Sequence, residues 1–350
     1  MKNNKTIFVG VSGGVDSSVS LAILKDEGYN VVGCFIKTWQ PDFVECTWKD
    51  ERRDAMRICA KLGVPFLTID AEKEYRDAVG MYMVNEYKAG RTPNPDVMCN
   101  KEVKFGVFLK KAKELGADFV ATGHYARTKD GILLKGVDDS KDQSYFLWTL
   151  TKEELSKIKF PVGGLQKSEV RKIAKKYGLL TAEKKDSQGV CFLGPIDMKD
   201  FLSHYIEINK GEVLDISGKV IGEHDGALFY TLGERHGFTI TSKTTNDKRF
   251  YVVKRDLDKN TITVSDDFDQ LLGGSDNKKI KLKNVNWNVS ISKNKIYEAR
   301  TRYRQKLETC QIEGDFVFFQ NPQKFVAPGQ SLVVYDVDVC VGGGIIDSNL

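Results

Sequence analysis

"VGVSGGVDSS", residues 9–18, is the stretch on which the fold turns. A β-branched apolar run, Ile7-Phe8-Val9-Gly10-Val11, feeds two adjacent glycines, and helical spacing follows from Ser18 to Glu27. Strand, glycine turn and helix in that order read as the first unit of a parallel sheet covered by helices. The following segments keep the alternation. Val31 to Ile36 reads as a buried strand. Residues 50–62 read as a helix with Met56, Ile58, Cys59 and Leu62 inward, and Phe66 to Ile69 as a third strand. Helical patterns cover 72–89 and 101–115, and Asp118 to Thr122 reads as a fourth strand. Gly28 and Gly63 stop the first two helices.

In open α/β sheets ligands bind beyond the carboxyl ends of the strands, where this glycine loop lies. Backbone N–H groups opening a helix suit a phosphate. Gly13 and Gly14 allow close approach of the backbone, and Ser12, Ser17 and Ser18 add hydroxyls. Asp16 repels a bare phosphate, so it is expected to touch a magnesium ion or a backbone turn. The loop lacks the Gly-Lys-Ser/Thr of a Walker loop, and its glycine spacing does not fit the dinucleotide fingerprint. A tight turn without a ligand is the plain alternative for two glycines alone.

A second motif, "GRTPNPDVMCN", spans Gly90 to Asn100. Pro93 and Pro95 hold Thr92 and Asn94 extended. If Asp96 opens the next helix, Asp96 and Cys99 share one side of its first turn. A helix N-terminus favours a thiolate, and a nearby carboxylate can relay a proton. In a third motif, "KKDSQGVCFLG" from Lys184 to Gly194, Cys191 follows a basic pair, Lys184 and Lys185, that would also favour a thiolate. The plain alternatives are an N-cap aspartate and two buried cysteines.

The chain has 350 residues, enough for two or three domains. With 41% hydrophobic and 29% charged residues it reads as a soluble globular protein. No apolar stretch reaches the length of a membrane span, and no signal-like segment opens the sequence, so a cytoplasmic protein without a membrane partner is expected. Seven cysteines without a CxxC pair argue against a disulfide framework or a zinc ribbon, and no resident metal is expected. Beyond residue 125 the texture changes. Asp130-Gly131 reads as a hairpin turn, 151–158 and 168–177 as helices with Ser168 capping the second, and the chain from about 210 as a small β domain or barrel.

The formal charge of +5 is weak evidence for a nucleic-acid partner. Placement says more. Read as a strand, 300–306 puts Arg300, Arg302, Arg304 and Lys306 on one face along roughly 20 Å, matching a phosphate backbone. Lys172, Lys175 and Lys176 add charge on the helix at 168–177. A solvated outer face is the plain alternative.

The Ser-Gly-Gly-Val-Asp-Ser string resembles the PP-loop of ATP pyrophosphatases, which grip the pyrophosphate of ATP and adenylate a substrate. The three motifs together, with "ATGHYA" at 121–126, "KDQSYFL" at 141–147, "FPVGGLQKSEVRKIA" at 160–174, "RTRYRQ" at 300–305 and "APGQ" at 327–330, resemble the tRNA-specific 2-thiouridylases along nearly the whole chain. That family replaces the C2 oxygen of the wobble uridine, position 34 of certain tRNAs, with sulfur. The resemblance implies an α/β fold: a parallel-sheet PP-loop domain of the adenine nucleotide α-hydrolase-like kind, then a small central domain and a C-terminal β-barrel. The expected bounds are 1–155 plus about 185–200, about 156–184 plus 201–255, and about 256–346.

The resemblance also implies roles. Gly10, Val11, Ser12, Gly13, Gly14, Val15, Asp16 and Ser17 would bind ATP, with Ile36 near the adenine, Gly123 at the nucleotide, and Mg²⁺ accompanying the ATP. Asn94, Pro95 and Asp96 would meet the flipped uridine. Asp96 would be the acid/base, Cys99 the nucleophile and Cys191 the persulfide carrier. His124, Lys141, Asp142, Gln143, Arg302, Tyr303 and Gln330 would touch the tRNA. A cysteine desulfurase or a sulfur-carrier protein would supply sulfur. Departures fall at Ile36, where the family usually has Met, and at Gly233-Glu234-Arg235, where it has Gly-Gln-Arg. The alternatives are a PP-loop ligase or thiolase acting on a small molecule, which needs neither Cys99 nor Cys191, and an RNA-binding protein with a relic nucleotide site.

Overall fold

A computed structural model of the chain describes residues 4–44, 48–185, 198–241, 249–266 and 277–347. Cys46, Cys191 and the whole of 186–197 lie outside the described residues. The strands β1 (Thr6–Gly10), β2 (Asn30–Lys37), β3 (Phe66–Asp70) and β4 (Phe119–Ala121) form the expected parallel sheet. After the hairpin of β5 (Ala126–Lys129) and β6 (Ile132–Lys135), β7 (Ile158–Lys159) completes the order β3-β2-β1-β4-β7. Alternation splits β1 between two cores. Ile7 and Val9 pack with α1 (Val15–Asp26) and α2 (Trp48–Leu62), while Phe8 faces Phe105 and Phe108.

Three local expectations are corrected. Met56 is 42% exposed, because the inward stripe of α2 is Ala55, Ile58, Cys59 and Leu62. The helix Lys167–Lys176 is capped at Gln166, not Ser168, because Glu169 reaches back to accept from the Gln166 N–H at 2.7 Å. Residues 156–184 do not join the central domain. β7 belongs to the parallel sheet, and Val170, Ala174, Leu179 and Ala182 are buried in the same core as α1.

The central sheet runs from β8 (Gly211–Leu214), β9 (Val220–His224) and β10 (Thr239–Ile240) to β11 (Tyr251–Asp256) and β12 (Thr261–Ser265). The β11–β12 hairpin straddles the expected boundary at 255–256, so both its strands belong here. The barrel comprises β13 (Lys279–Trp287), β14 (Tyr297–Arg300), β15 (Glu308–Glu313), β16 (Phe316–Phe319), β17 (Ser331–Asp336) and β18 (Val339–Ile346). It closes where β13 pairs with β18, Leu282 opposite Ile346. The β5–β6 hairpin extends the barrel sheet through Leu134 opposite Val339.

The basic strand at 300–306 does not exist. β14 ends at Arg300, and the chain turns through Arg304 at φ 63°. The Gln305 side-chain Oε1 closes that turn by accepting from the Thr301 N–H and hydroxyl at 3.0 and 2.9 Å. Arg300, 8% exposed, instead donates to Asp142 at 2.8 Å, linking the barrel to the first domain. Arg302 donates to the Leu232 carbonyl at 2.6 Å, linking the barrel to the central domain. Removing one partner of a buried pair leaves the other charge uncompensated. Arg300→Ala is therefore expected to lower stability by about 3–5 kcal/mol in denaturant unfolding, with Asp142→Asn added to it restoring part of the loss.

Candidate active site

The glycine loop leaves β1 at Gly10 and enters α1 at Val15, at the carboxyl edge of the sheet. Gly13 adopts φ +72°, and a Cβ there would sit 2.8 Å from the Glu51 carbonyl oxygen. Gly123, just past β4, presses on the loop from the other side. A Cβ on it would meet the Ser17 nitrogen at 2.6 Å. The serines fix the turn: the Ser12 N–H donates to the Ser17 hydroxyl at 3.2 Å, and the Ser18 hydroxyl to the Gly14 carbonyl at 2.6 Å. The result is a backbone cradle at a helix N-terminus without bulky side chains, which fits a polyphosphate.

Asp16 touches a side-chain cation and a phenol. Its two oxygens accept from Lys167 Nζ at 2.7 and 2.8 Å, and one also from the Tyr125 hydroxyl at 2.7 Å. Lys184 Nζ donates to the Gly13 carbonyl and to Asp54, each at 3.0 Å. Two lysines thus flank the loop. Neither follows from the loop's own spelling, since both arrive from more than 150 positions away.

The proline motif forms the second half of the site. Asn94, in extended backbone, caps the helical run 95–114 by accepting from the Val97 N–H at 3.3 Å. Pro95 takes the first helical position, and Asp96 lies in the first turn without being the cap. Cys99, 3% exposed, starts the π-helical stretch Cys99–Val107. Such widened turns cluster at functional sites. Burial raises the Asp96 carboxyl above its ordinary range, with the Lys104 charge pulling the other way. That direction suits a group that must hold and release a proton near neutral pH.

The two halves meet through the helix that follows Cys99. A Cβ on Gly10 would touch Phe108 at 3.6 Å. Phe105 lies 5.9 Å from the His124 ring, one residue past Gly123. His124 is 7% exposed, and its Nδ1 pairs with the Thr122 hydroxyl at 2.7 Å. Desolvation, then the Lys104 charge, holds its imidazole well below the usual pKa and therefore neutral. Lys104, five residues beyond Cys99, influences both Asp96 and His124.

Most residues expected on the tRNA have partners within the chain, and two of them, His124 and Asp142, are buried. His124 is enclosed between Phe105 and Phe160. Asp142 is buried on Arg300 and on the Ser144 N–H and hydroxyl. The Gln143 side chain accepts from the Tyr125 N–H at 3.0 Å. The Arg302 guanidinium lies 5.5 Å from the Phe325 ring, and Tyr303 packs on Phe146. Gln330 donates to the Thr92 and Pro93 carbonyls, each at 3.0 Å, and so holds the proline loop. Lys141 differs: with Lys135, Arg304 and Gln305 it lines a cavity of about 720 Å³ at the edge of the barrel. Glu234, the departure from the family spelling, accepts from the Thr231 N–H at 2.8 Å. Ile36 packs partly buried between two cores.

Three family models match in succession: a tRNA methyl transferase HUP domain over 5–195, a tRNA methyl transferase PRC-barrel domain over 199–266, and an aminomethyltransferase β-barrel domain over 277–346. The curated relatives are named as thiouridylases. The tRNA-specific 2-thiouridylase MnmA of Listeria monocytogenes serotype 4b (strain CLIP80459) is 46% identical, covering 98% of this chain and 94% of the relative. That of Francisella philomiragia is 45% identical, covering 99% and 100%. A solved U34-tRNA thiolase from Methanococcus maripaludis is similar at TM-score 0.37 and 20% identity, over 58% of this chain and 63% of that one, too slight a likeness to carry an argument. Full-length identity at this level, with the glycine and proline motifs meeting as described, makes the chain a member of the tRNA-specific 2-thiouridylase family.

Proposed function

We propose that this protein catalyses ATP-dependent 2-thiolation of the wobble uridine, position 34 of tRNA. The observation that carries the reading is that Asp96 and Cys99 open the helical run whose Phe108 packs against Gly10 of the glycine loop. A small-molecule ligase has no use for that thiol. ATP binds at Gly10 to Ser17, and Mg²⁺ bound with it would offset the charge of its phosphates. The uridine C2 oxygen attacks the α-phosphorus, the bond to the β-phosphate bridging oxygen breaks, and pyrophosphate leaves. The C2 oxygen is then part of an AMP ester, a good leaving group.

Cys191 carries the persulfide. Its terminal sulfur attacks C2 and AMP departs with the old oxygen. Cys99 closes a disulfide with Cys191, supplying the two electrons that turn sulfane sulfur into the thiocarbonyl. Alternatively Cys99 first frees hydrosulfide, which then attacks. Both routes end in the same disulfide, reset by a thiol reductant. A cysteine desulfurase or a sulfur carrier loads Cys191. Asp96 takes and returns the uridine proton, with Asn94 and Pro95 against the base. An anticodon loop presents that base unstacked at little cost.

The test is nucleoside mass spectrometry of tRNA incubated with the protein, ATP, Mg²⁺ and a persulfide source. 2-Thiouridine is expected from the wild type and none from Cys191→Ser. Cys99→Ser is expected to load sulfur on Cys191, by intact-protein mass, and then to stall. Cys34, Cys59, Cys310 and Cys340 are buried, with thiols pushed up to about 12, 11, 12 and 12 respectively. Alanine at any of these four is expected to leave the product unchanged, and equal loss there would contradict the pair.

Asp96→Asn separates chemistry from stability. The folded-state pKa of Asp96 is raised, so its ionised form opposes folding. That penalty appears as pH climbs from the unfolded value of about 4 through the folded one, and stays constant above it. The variant is expected to lose thiolation yet melt higher than wild type at pH 7–8, with the gain vanishing at acid pH. A lower melting temperature at pH 8 would show that the carboxylate is held by bonds that favour its charge.

We put the tRNA backbone over the cavity edged by Lys135, Lys141 and Arg304, whose positive charge supports that reading. Arg304→Asn keeps a residue that tolerates positive φ while removing the charge. It is expected to weaken binding and flatten the salt dependence by about one counterion. An unchanged slope would move the tRNA elsewhere.

A further inference from the structure

Lys184 reaches the glycine loop from outside it. Its ammonium donates to the Gly13 carbonyl and to Asp54, each at 3.0 Å. Asp54 stands on α2, which also packs closely on Gly13: a Cβ there would sit 3.2 Å from the Asp54 Cβ. The backbone that carries Lys184 is held separately, since Arg171 donates to the Ala182 and Lys184 carbonyls at 2.8 and 3.2 Å. The neighbouring peptides of the loop are fixed by its own serines. The Ser12 N–H donates to the Ser17 hydroxyl, and the Gly14 carbonyl accepts from the Ser18 N–H and hydroxyl at 3.2 and 2.6 Å. The peptide between them joins two glycines, and among the described residues the donor to its carbonyl is Lys184.

We propose that Lys184 is a positioning residue that locks the Gly13–Gly14 peptide, so that the Gly14 N–H stays turned into the anion cradle. This rests on the reading that the loop binds the pyrophosphate of ATP. In a planar trans peptide the C=O and the N–H point in opposite directions. The bond that holds the Gly13 carbonyl on Lys184 therefore turns the Gly14 N–H to the other side. Gly14 has φ −95°, and rotating that peptide plane by half a turn would bring it to positive φ. A residue with a side chain resists the change, but glycine adopts both signs about equally. The flipped peptide would present a carbonyl oxygen to the phosphate in place of the N–H. The two glycines that let the backbone come close thus leave its orientation undetermined, and a donor outside the loop sets it. Lys184 works through the peptide and needs no contact with the phosphates.

The test measures binding of Mg²⁺-pyrophosphate and of AMP separately by calorimetry, without tRNA, and follows the glycine amides by ¹⁵N NMR. Lys184→Met keeps the side-chain stem and removes the donor. The Lys184 side chain is 42% exposed and Asp54 keeps Arg57 at 3.8 Å, so the variant is expected to fold. It is expected to bind pyrophosphate about tenfold more weakly or worse, the usual loss of one hydrogen bond to a charged group, and AMP within about twofold of wild type. Its ligand-free Gly14 signal is expected to broaden or split as the peptide samples both orientations, while that of Gly314, in the turn between β15 and β16, stays in place. Lys184→Arg, which keeps a cationic donor, should restore a single Gly14 signal and most of the affinity. Lys184→Met/Gly14→Ala is the second route. A Cβ on Gly14 meets only the Ser12 hydroxyl, at 3.3 Å, yet disfavours positive φ, so this variant should regain a single signal at residue 14 without the lysine. The proposal is overturned if Lys184→Met binds pyrophosphate as wild type does, if it loses pyrophosphate and AMP equally, or if the double variant keeps two signals. It is also overturned if affinity falls while the Gly14 signal stays sharp and unmoved, which would make Lys184 a direct charge on the ligand. Wild-type protein that binds neither pyrophosphate nor AMP would instead sink the ATP reading, and the ligand-free Gly14 signal would still decide whether Lys184 holds the peptide.

Discussion

The site depends on an extended loop that cannot satisfy its own backbone. Prolines at 93 and 95 keep residues 92–94 out of a helix, so their polar groups need partners from elsewhere. The Thr92 N–H donates to the Pro328 carbonyl at 2.8 Å, and the Thr92 and Pro93 carbonyls accept from Gln330. The Thr92 hydroxyl pairs with that of Thr231 at 3.2 Å, and the Gly90 carbonyl accepts from Arg255 at 3.0 Å. The barrel and the central domain thus both hold a loop of the first domain. Asp96 and Cys99 follow within a few residues, so their position is set by chain folded more than 130 residues away.

This arrangement also explains why these residues have partners within the chain. Arg300 with Asp142, Arg302 with Leu232, and Gln330 with Thr92 are the bonds that fix the barrel against the other domains. Buried polar groups of this kind are worth little as net attraction but are costly to break singly. They specify one relative placement of the domains. An RNA docked on the barrel edge would then meet a site whose geometry is already defined, and Lys141 and Arg304, one from each side of that interface, both line the cavity there.

Local pattern was legible wherever one segment carried its own signal. Strand alternation in β1, the glycine turn after it, the turn at Asp130-Gly131 and the stiff proline segment all follow from neighbouring residues. Reading failed where a distant partner decides. Arg300, Arg302, Arg304 and Lys306 have the period of a strand, but Gln305 folds back on Thr301 and breaks it. Ser168 is a good cap by type, yet Glu169 stands three residues after Gln166 and fixes the start there. The charge of Arg300 looks like surface until Asp142, 158 positions earlier, is found beside it. Lys167 was quoted within a motif but could not be tied to Asp16 without the packing of its helix on α1.

Two carboxylates belong to the proposed site, and their surroundings suit them to different tasks. Asp16 sits among cations and a phenol, in a turn made of small residues, and its charge is matched by Lys167. Asp96 is half-buried, and desolvation there outweighs the pull of Lys104, so the neutral form gains ground. A carboxylate matched to a cation handles charge, which is what a polyphosphate brings. A carboxyl pushed toward neutrality is suited to proton transfer, the part we propose for Asp96. Neither task follows from the residue type. The difference comes from what packs around each group, and the helix carrying Phe105 and Phe108 keeps the two environments apart while holding them adjacent.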